Sequence, residues 1–210
     1  MKHTMKYDLY TPLSNVVNLD NVDILDFGGS FGNLIRSSNG NILPKNYTCV
    51  DVDGDALSVG RKDYPTATWI HLDLYNPMYN PTGNNTIDFP KKYDVIFSFS
   101  VFAHTTFEYF LETIETLKKY LTPTGKIYIT MVTSSNDIFI NWIINKRVLD
   151  YGKCDEFIDT DSYFYLVNNK IKHTVPLDCN HLVTVYNENF LSKIGNLLDT
   201  TFKQTLLEIK

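Results

Sequence analysis

Residues 22–33 read Val-Asp-Ile-Leu-Asp-Phe-Gly-Gly-Ser-Phe-Gly-Asn, an apolar run that ends at Asp26 and breaks at once into Gly28, Gly29 and Gly32. That pattern describes a buried strand ending in a turn tight enough for backbone N–H groups to approach a ligand. Tyr47-Thr-Cys-Val-Asp51 reads as a second strand that ends in a carboxylate 23 residues past Gly28. An acid about 20 residues beyond a glycine turn suits one that holds a pair of ribose hydroxyls. The two features together predict a site for a nucleotide-like cofactor.

The remaining pattern supplies the scaffold. Residues 67–72 and 93–101 form further apolar runs, and Lys126-Ile-Tyr-Ile-Thr-Met-Val132 a fifth. Short helices are expected after the glycine turn and after Asp53, which is placed to cap the second of them. The clearest helix runs from about Thr106 to Leu121, with Phe107, Phe110, Leu111, Ile114, Leu117 and Leu121 on one face. Thr105 and Glu108 suggest a capping box at its start, and Thr122-Pro-Thr-Gly125 a stop. Strands alternating with helices predict an α/β fold, a Rossmann-like, doubly wound, mostly parallel sheet with helices on both faces.

Past Val132 the pattern loosens. A helix over 137–149 and a hairpin over 162–175, turning at Asn168-Asn169, are expected there. A helix over 188–198 and a last strand over 201–209 follow. The chain reads as one domain of 210 residues, with a core at about 20–132 and 181–210 and an aromatic insert after strand five at about 133–180.

Net charge is −5 and no run of basic residues is longer than a pair, which disfavours a nucleic-acid partner. Cys49, Cys154 and Cys179 form no CxxC pair, so no metal is expected. No apolar stretch reaches the length of a membrane span, and the N-terminus lacks the apolar run of a secretion signal. A cytoplasmic location is the expectation.

Four strand ends carry suggestive residues in order: the Asp26–Gly32 turn, Asp51, Asp73, and Ser98–His104. Leu25-Asp-Phe-Gly-Gly-Ser-Phe-Gly32, Cys49-Val-Asp-Val-Asp53, Leu72-Asp73-Leu74, Tyr93-Asp-Val-Ile-Phe-Ser-Phe-Ser-Val-Phe-Ala-His104 and Leu121-Thr-Pro-Thr-Gly-Lys-Ile-Tyr-Ile129 together resemble the class I S-adenosylmethionine-dependent methyltransferases. Thr124 replaces a glycine in the last segment. The resemblance implies S-adenosyl-L-methionine as cofactor and S-adenosyl-L-homocysteine as product. It implies Gly28, Gly29 and Gly32 along the methionine part, Asp26 near the amino group, and Asp51 on both ribose hydroxyls. It further implies Asp73 at the adenine amino group, Leu74 against the ring, and the carbonyls of Ser98 and Phe99 near the ammonium. A dinucleotide fingerprint would want glycine where Ser30 stands. Asp26 has a second reading, that of holding the glycine turn through backbone bonds.

Methyl transfer from a sulfonium is a direct displacement, and a hydroxyl acceptor usually needs a base. His104, just past strand four, is the leading candidate, and His181 the second. The insert contributes Trp142, Tyr151, Phe157, Tyr163, Phe164 and Tyr165, rings that suit the walls of a small, partly apolar acceptor site. Tyr7 and Tyr10 are candidates to close over the cofactor's carboxylate. The reading is a methyltransferase for a small-molecule acceptor, at O or N. A protein or RNA methyltransferase, or a silent S-adenosylmethionine-binding scaffold, are the alternatives. Relatives end in a helix, a strand and a further antiparallel strand, whereas this chain predicts only one final strand. Either the 162–175 hairpin supplies the edge or the sheet is shorter, and an open edge would allow a homodimer.

Overall fold

The computed structural model describes residues 7–74, 82–83, 87–133, 135, 156–159, 163–167, 183–202 and 204–210, with backbone alone at 104, 156–159, 163–167 and 183. The main sheet has seven strands in the order β3-β2-β1-β4-β5-β10-β9. They are β1 Ile24–Phe27, β2 Tyr47–Asp51, β3 Thr68–His71, β4 Tyr93–Ser98, β5 Leu121–Met131, β9 Asn196–Leu198 and β10 Thr205–Ile209. The first five run parallel, and β10 and β9 close the sheet antiparallel. The strand order reverses between β1 and β4, the switch point at which open α/β sheets bind ligands.

Both faces are covered, as the continuous apolar strands require. On one face Ile24, Tyr47, Cys49, Val95 and Phe97 pack under Leu13 of α1 (Tyr10–Ser14), Ile35 of α2 (Asn33–Ser37) and Leu57 of α3 (Gly54–Asp63). On the other, Leu25, Phe27, Ile96, Ile127 and Ile129 pack under Phe110, Ile114 and Leu117 of α4 (Phe107–Lys118) and Leu191 of α5 (Glu188–Ile194). Asp53 caps α3 as expected, accepting from the amides of Asp55 and Ala56 at 3.0 Å each.

Four local expectations are corrected. The cap of α4 is Thr106, whose hydroxyl accepts from the Tyr109 amide at 3.2 Å; Thr105 lies outside the helix, so the Thr105–Glu108 box does not form. Helix α4 ends at Lys118, and Leu121 already belongs to β5. The stretch 122–125 is therefore a bulge inside β5, opposite Asp94, between the pairs Tyr93–Leu121 and Val95–Lys126. Thr122 stays tied there through its hydroxyl to Asp94 Oδ1 at 2.9 Å.

The fourth correction concerns the end of the chain. The helix expected over 188–198 stops at Ile194, and Asn196–Leu198 forms β9, paired with β10. The close approach at Gly195 explains the break: a Cβ there would lie 2.3 Å from the Glu208 carbonyl oxygen. The sheet thus has its further antiparallel strand, which corrects the expectation of a single final strand.

A second, three-stranded antiparallel sheet holds β6 (Glu156–Asp159), β7 (Tyr163–Val167) and β8 (Val183–Tyr186) in that order. The turn expected at Asn168-Asn169 lies outside the described residues. Thr133 and Tyr186 form a parallel bridge from the end of β5 to β8. The helix expected at 137–149 and the second arm of the expected hairpin lie outside the described residues. No described helix is long and apolar enough to cross a membrane.

Candidate active site

The turn after β1 hooks onto β2. The amides of Gly28 and Gly29 both donate to the Val50 carbonyl, at 2.8 and 3.2 Å. The Ser30 amide donates to Asp51 Oδ2 at 2.7 Å, and the Gly32 amide to the Gly29 carbonyl at 2.9 Å. Gly28 (φ +75°), Ser30 (φ +54°) and Gly32 (φ +85°) are left-handed, a region serine rarely adopts. The bond to Asp51 holds Ser30 there.

The glycines are needed chiefly for close packing. A Cβ on Gly28 would lie 2.2 Å from Val101 Cγ2, on Gly29 2.5 Å from the Asp26 carboxyl, and on Gly32 2.7 Å from Trp69 Cη2. Any side chain at these positions would lift the turn off its own core.

Asp26 lies beneath the turn. It is 2% exposed, and its carboxylate accepts a short hydrogen bond from the Tyr47 hydroxyl. Burial pushes its carboxyl up to about 7 against the lowering effect of Tyr47, and the charge of Asp51 adds to the rise. The carboxyl packs directly under Gly29 and is tied to the Tyr47 side chain.

Asp51, at the end of β2, is half-buried. Burial raises its pKa, and backbone amides of Asp53 and Ser30 offset part of the rise. Its Oδ1 accepts from the Asp53 amide at 2.9 Å and its Oδ2 from Ser30. A carboxylate offers about four lone-pair sites, so each oxygen keeps capacity for one more donor.

The next two strand ends continue the row. The Leu72 amide donates to the Asp51 carbonyl at 2.9 Å, and the Leu74 amide to the Leu72 carbonyl at 2.6 Å. The chain turns at Asp73, which sits half-buried at the apex of a three-residue turn. Leu74 packs at the margin of the core. On the other side of β1, Ser98 ends β4 level with Phe27; it is fully buried and its hydroxyl has no hydrogen-bond partner among the described residues. Phe99 follows, with its ring 6.2 Å from Tyr7 and 6.0 Å from Phe202. Tyr7 is half exposed. The Tyr10 amide is tied to Ser37 Oγ at 3.0 Å.

The sheet therefore sets Asp73, Asp51, the glycine turn and Ser98 side by side along one edge, a row spanning about 14 Å at the usual strand spacing. The four turns at that edge contain Asp26, Asp51, Asp53 and Asp73 and no lysine or arginine. The amides of Gly28, Gly29, Ser30 and Gly32 are already spent on protein oxygens and are not offered to a pyrophosphate. The carboxylate acceptors of the row fit a ligand that carries hydroxyl groups and positive charge.

His104 closes a 3-10 turn, Phe102–His104, beyond β4; its side chain lies outside the described residues, as does the whole of His181. Trp142 and Tyr151, and the side chains of Phe157, Tyr163, Phe164 and Tyr165, lie outside them as well. His71 bonds the Val52 carbonyl through Nε2 at 3.0 Å, a structural role.

A family model described as a methyltransferase domain matches residues 25–127, the stretch that builds this edge. That stretch, just under half of the chain, matches the methyltransferase-domain family, and the chain is similar in fold to class I S-adenosylmethionine-dependent methyltransferases. Its cofactor is S-adenosylmethionine, and it is a methyl-transferring enzyme. The fold is similar to that of an S-adenosylmethionine-dependent methyltransferase from Clostridium acetobutylicum, with a TM-score of 0.55 at 15% identity over 94% of this chain and 86% of that one. It is similar to Streptomyces venezuelae DesVI, with a TM-score of 0.53 at 13% identity over 88% and 81%. It is also similar to the glycopeptide N-methyltransferase MtfA complexed with sinefungin, with a TM-score of 0.55 at 10% identity over 93% and 89%. No curated protein matches the sequence.

Sequence reasoning missed several residues of this methyltransferase site. Tyr47 and Trp69 read as ordinary strand residues, yet one holds Asp26 and the other packs under Gly32. Ser30 gave a signal, since it stands where a dinucleotide turn would have glycine.

Proposed function

We propose that this methyltransferase acts on a small-molecule acceptor at O or N, with the acceptor seated between the end of β4 and the small sheet. The observation that carries the reading is the seating of β8 on the turn after β4. Thr184 Oγ1 donates to the Thr105 carbonyl at 2.5 Å, and the Tyr186 hydroxyl to the Phe102 carbonyl at 3.3 Å. The insert's strands are thereby anchored at the turn that carries His104.

Bound along the row of strand ends, the cofactor supplies a methyl group on a sulfonium, ready for displacement. Asp51 uses its two spare acceptor sites for the ribose hydroxyls. Asp73 faces the adenine amino group and Leu74 the ring. Carbonyls of Ser98 and Phe99 face the ammonium. Gly28, Gly29 and Gly32 keep the turn low enough for the methionine part to lie across it, and Asp26 supports that turn from beneath. His104 takes the proton released when a hydroxyl or neutral amine acceptor is methylated, a role matched to imidazole by its titration near neutrality. The aromatic insert excludes water and aligns the acceptor with the breaking bond.

A screen of pooled small metabolites with radiolabelled S-adenosylmethionine tests the acceptor class: label appears in a low-mass product. Label found only in protein or RNA would overturn the small-molecule reading. With an acceptor in hand, His104→Ala lowers kcat about 100-fold or more and removes the rise of rate with pH between about 5.5 and 7.5. A variant with the wild-type pH profile and rate would end the base role.

A further inference from the structure

Ser100, two residues beyond β4, is left-handed, with φ +58°. Nothing in its side chain favours that conformation, and two distant residues hold it. Its amide donates to Thr130 Oγ1 on β5 at 2.8 Å. Its hydroxyl accepts from Gln204 Nε2 at 3.1 Å. Gln204 stands immediately before β10 and is 5% exposed; Thr130 is fully buried. The other polar atom of the Gln204 carboxamide, Oε1, is buried without a partner among the described residues. A half-satisfied buried amide is an unfavourable core residue, so its one bond, to Ser100, has a use beyond packing.

That use is visible one residue further on. Val101 Cγ2 lies so close over Gly28 that a Cβ there would be only 2.2 Å from it. The left-handed step at Ser100 therefore delivers Val101 onto the glycine turn. It fixes the gap between the ends of β1 and β4, across which the row of strand ends is continuous.

We propose that Gln204 is a positioning residue of the cofactor site. Acting through Ser100 and Val101, it sets the spacing between the glycine turn and the end of β4, and with it the affinity for the methionine end of the cofactor. Thr130 holds Ser100 from the other side. The inference rests on the reading that the cofactor lies along these strand ends.

The test exploits the conformational freedom of glycine, which takes positive φ without being held. Calorimetric titration of S-adenosylhomocysteine is expected to show at least tenfold weaker binding to Gln204→Met than to wild type. Thr130→Val, the second variant, is expected to behave alike. Adding Ser100→Gly to either variant restores affinity to within about threefold of wild type, an outcome that lost packing alone would not give. If wild type binds and both single variants bind equally well, or if Ser100→Gly restores neither, the positioning role is wrong while the cofactor site stands. If wild type itself fails to bind, the cofactor reading falls and this proposal with it.

Discussion

Two carboxylates at the ends of adjacent strands have opposite tasks. Asp26 is buried against Tyr47 and Asp51 is half open, and only the latter retains free acceptor sites. Asp26 has an ordinary carboxyl value of 3.8 when unfolded and about 7 in the fold, with burial as the main cause. Between about pH 4 and 7 the folded chain holds a proton that the unfolded chain has lost. Its contribution to stability is therefore greatest at low pH and falls as pH rises through that window, by on the order of 4 kcal/mol in full. In Asp26→Asn, unfolding by urea from pH 4.5 to 8 is expected to lose this slope, leaving a flatter profile than wild type. Tyr47→Phe removes the donor that favours the charged form, so its loss of stability is greater at pH 8 than at pH 5. Equal losses at the two values would show that Asp26 does not ionise in this range. The sequence made both carboxylates visible as strand ends, and it left Asp26 with two readings. The Tyr47 hydroxyl that ties Asp26 approaches across the β1–β2 pair from 21 residues away and leaves no mark in local spacing.

At the scale of elements, periodicity located most helices and strands, and the errors fall where a tertiary contact overrides a local signal. Thr105 and Thr106 are equally good caps by composition. The structure uses Thr106, and Thr105 instead offers its carbonyl to Thr184. Thr106→Ala is expected to cost about 1 kcal/mol, a fall in melting temperature of about 2–4 °C for a chain of this size. Thr105→Ala should leave the cap intact and cost less than half as much; the reverse ranking in thermal melts would contradict the assignment. Thr122-Pro-Thr-Gly125 carries every mark of a turn and is a bulge within β5, because Tyr93 and Val95 pair on either side of it. Leu197 and Leu198 continue the helical spacing of α5, yet the backbone meeting Glu208 at Gly195 turns them into a strand. Such breaks depend on residues far along the chain and cannot be read from a window.

For the whole molecule, alternation of strands and helices gave the doubly wound sheet, and the strand order then fixed where a ligand lies. The site is legible because it is built from strand ends, each announced by a carboxylate or a glycine. The acceptor side is less so, since it depends on a small sheet whose strands pair within the insert and meet the core through β8. The central claim is that the acidic strand-end row binds S-adenosylmethionine, with Asp51 on the ribose. Isothermal titration of S-adenosylmethionine into wild type and Asp51→Ala, with NAD as the control ligand, tests it most directly. The account predicts saturable binding to wild type, binding at least 100-fold weaker to the variant, and no heat from NAD. Undiminished binding by Asp51→Ala, or NAD binding in place of S-adenosylmethionine, would contradict it.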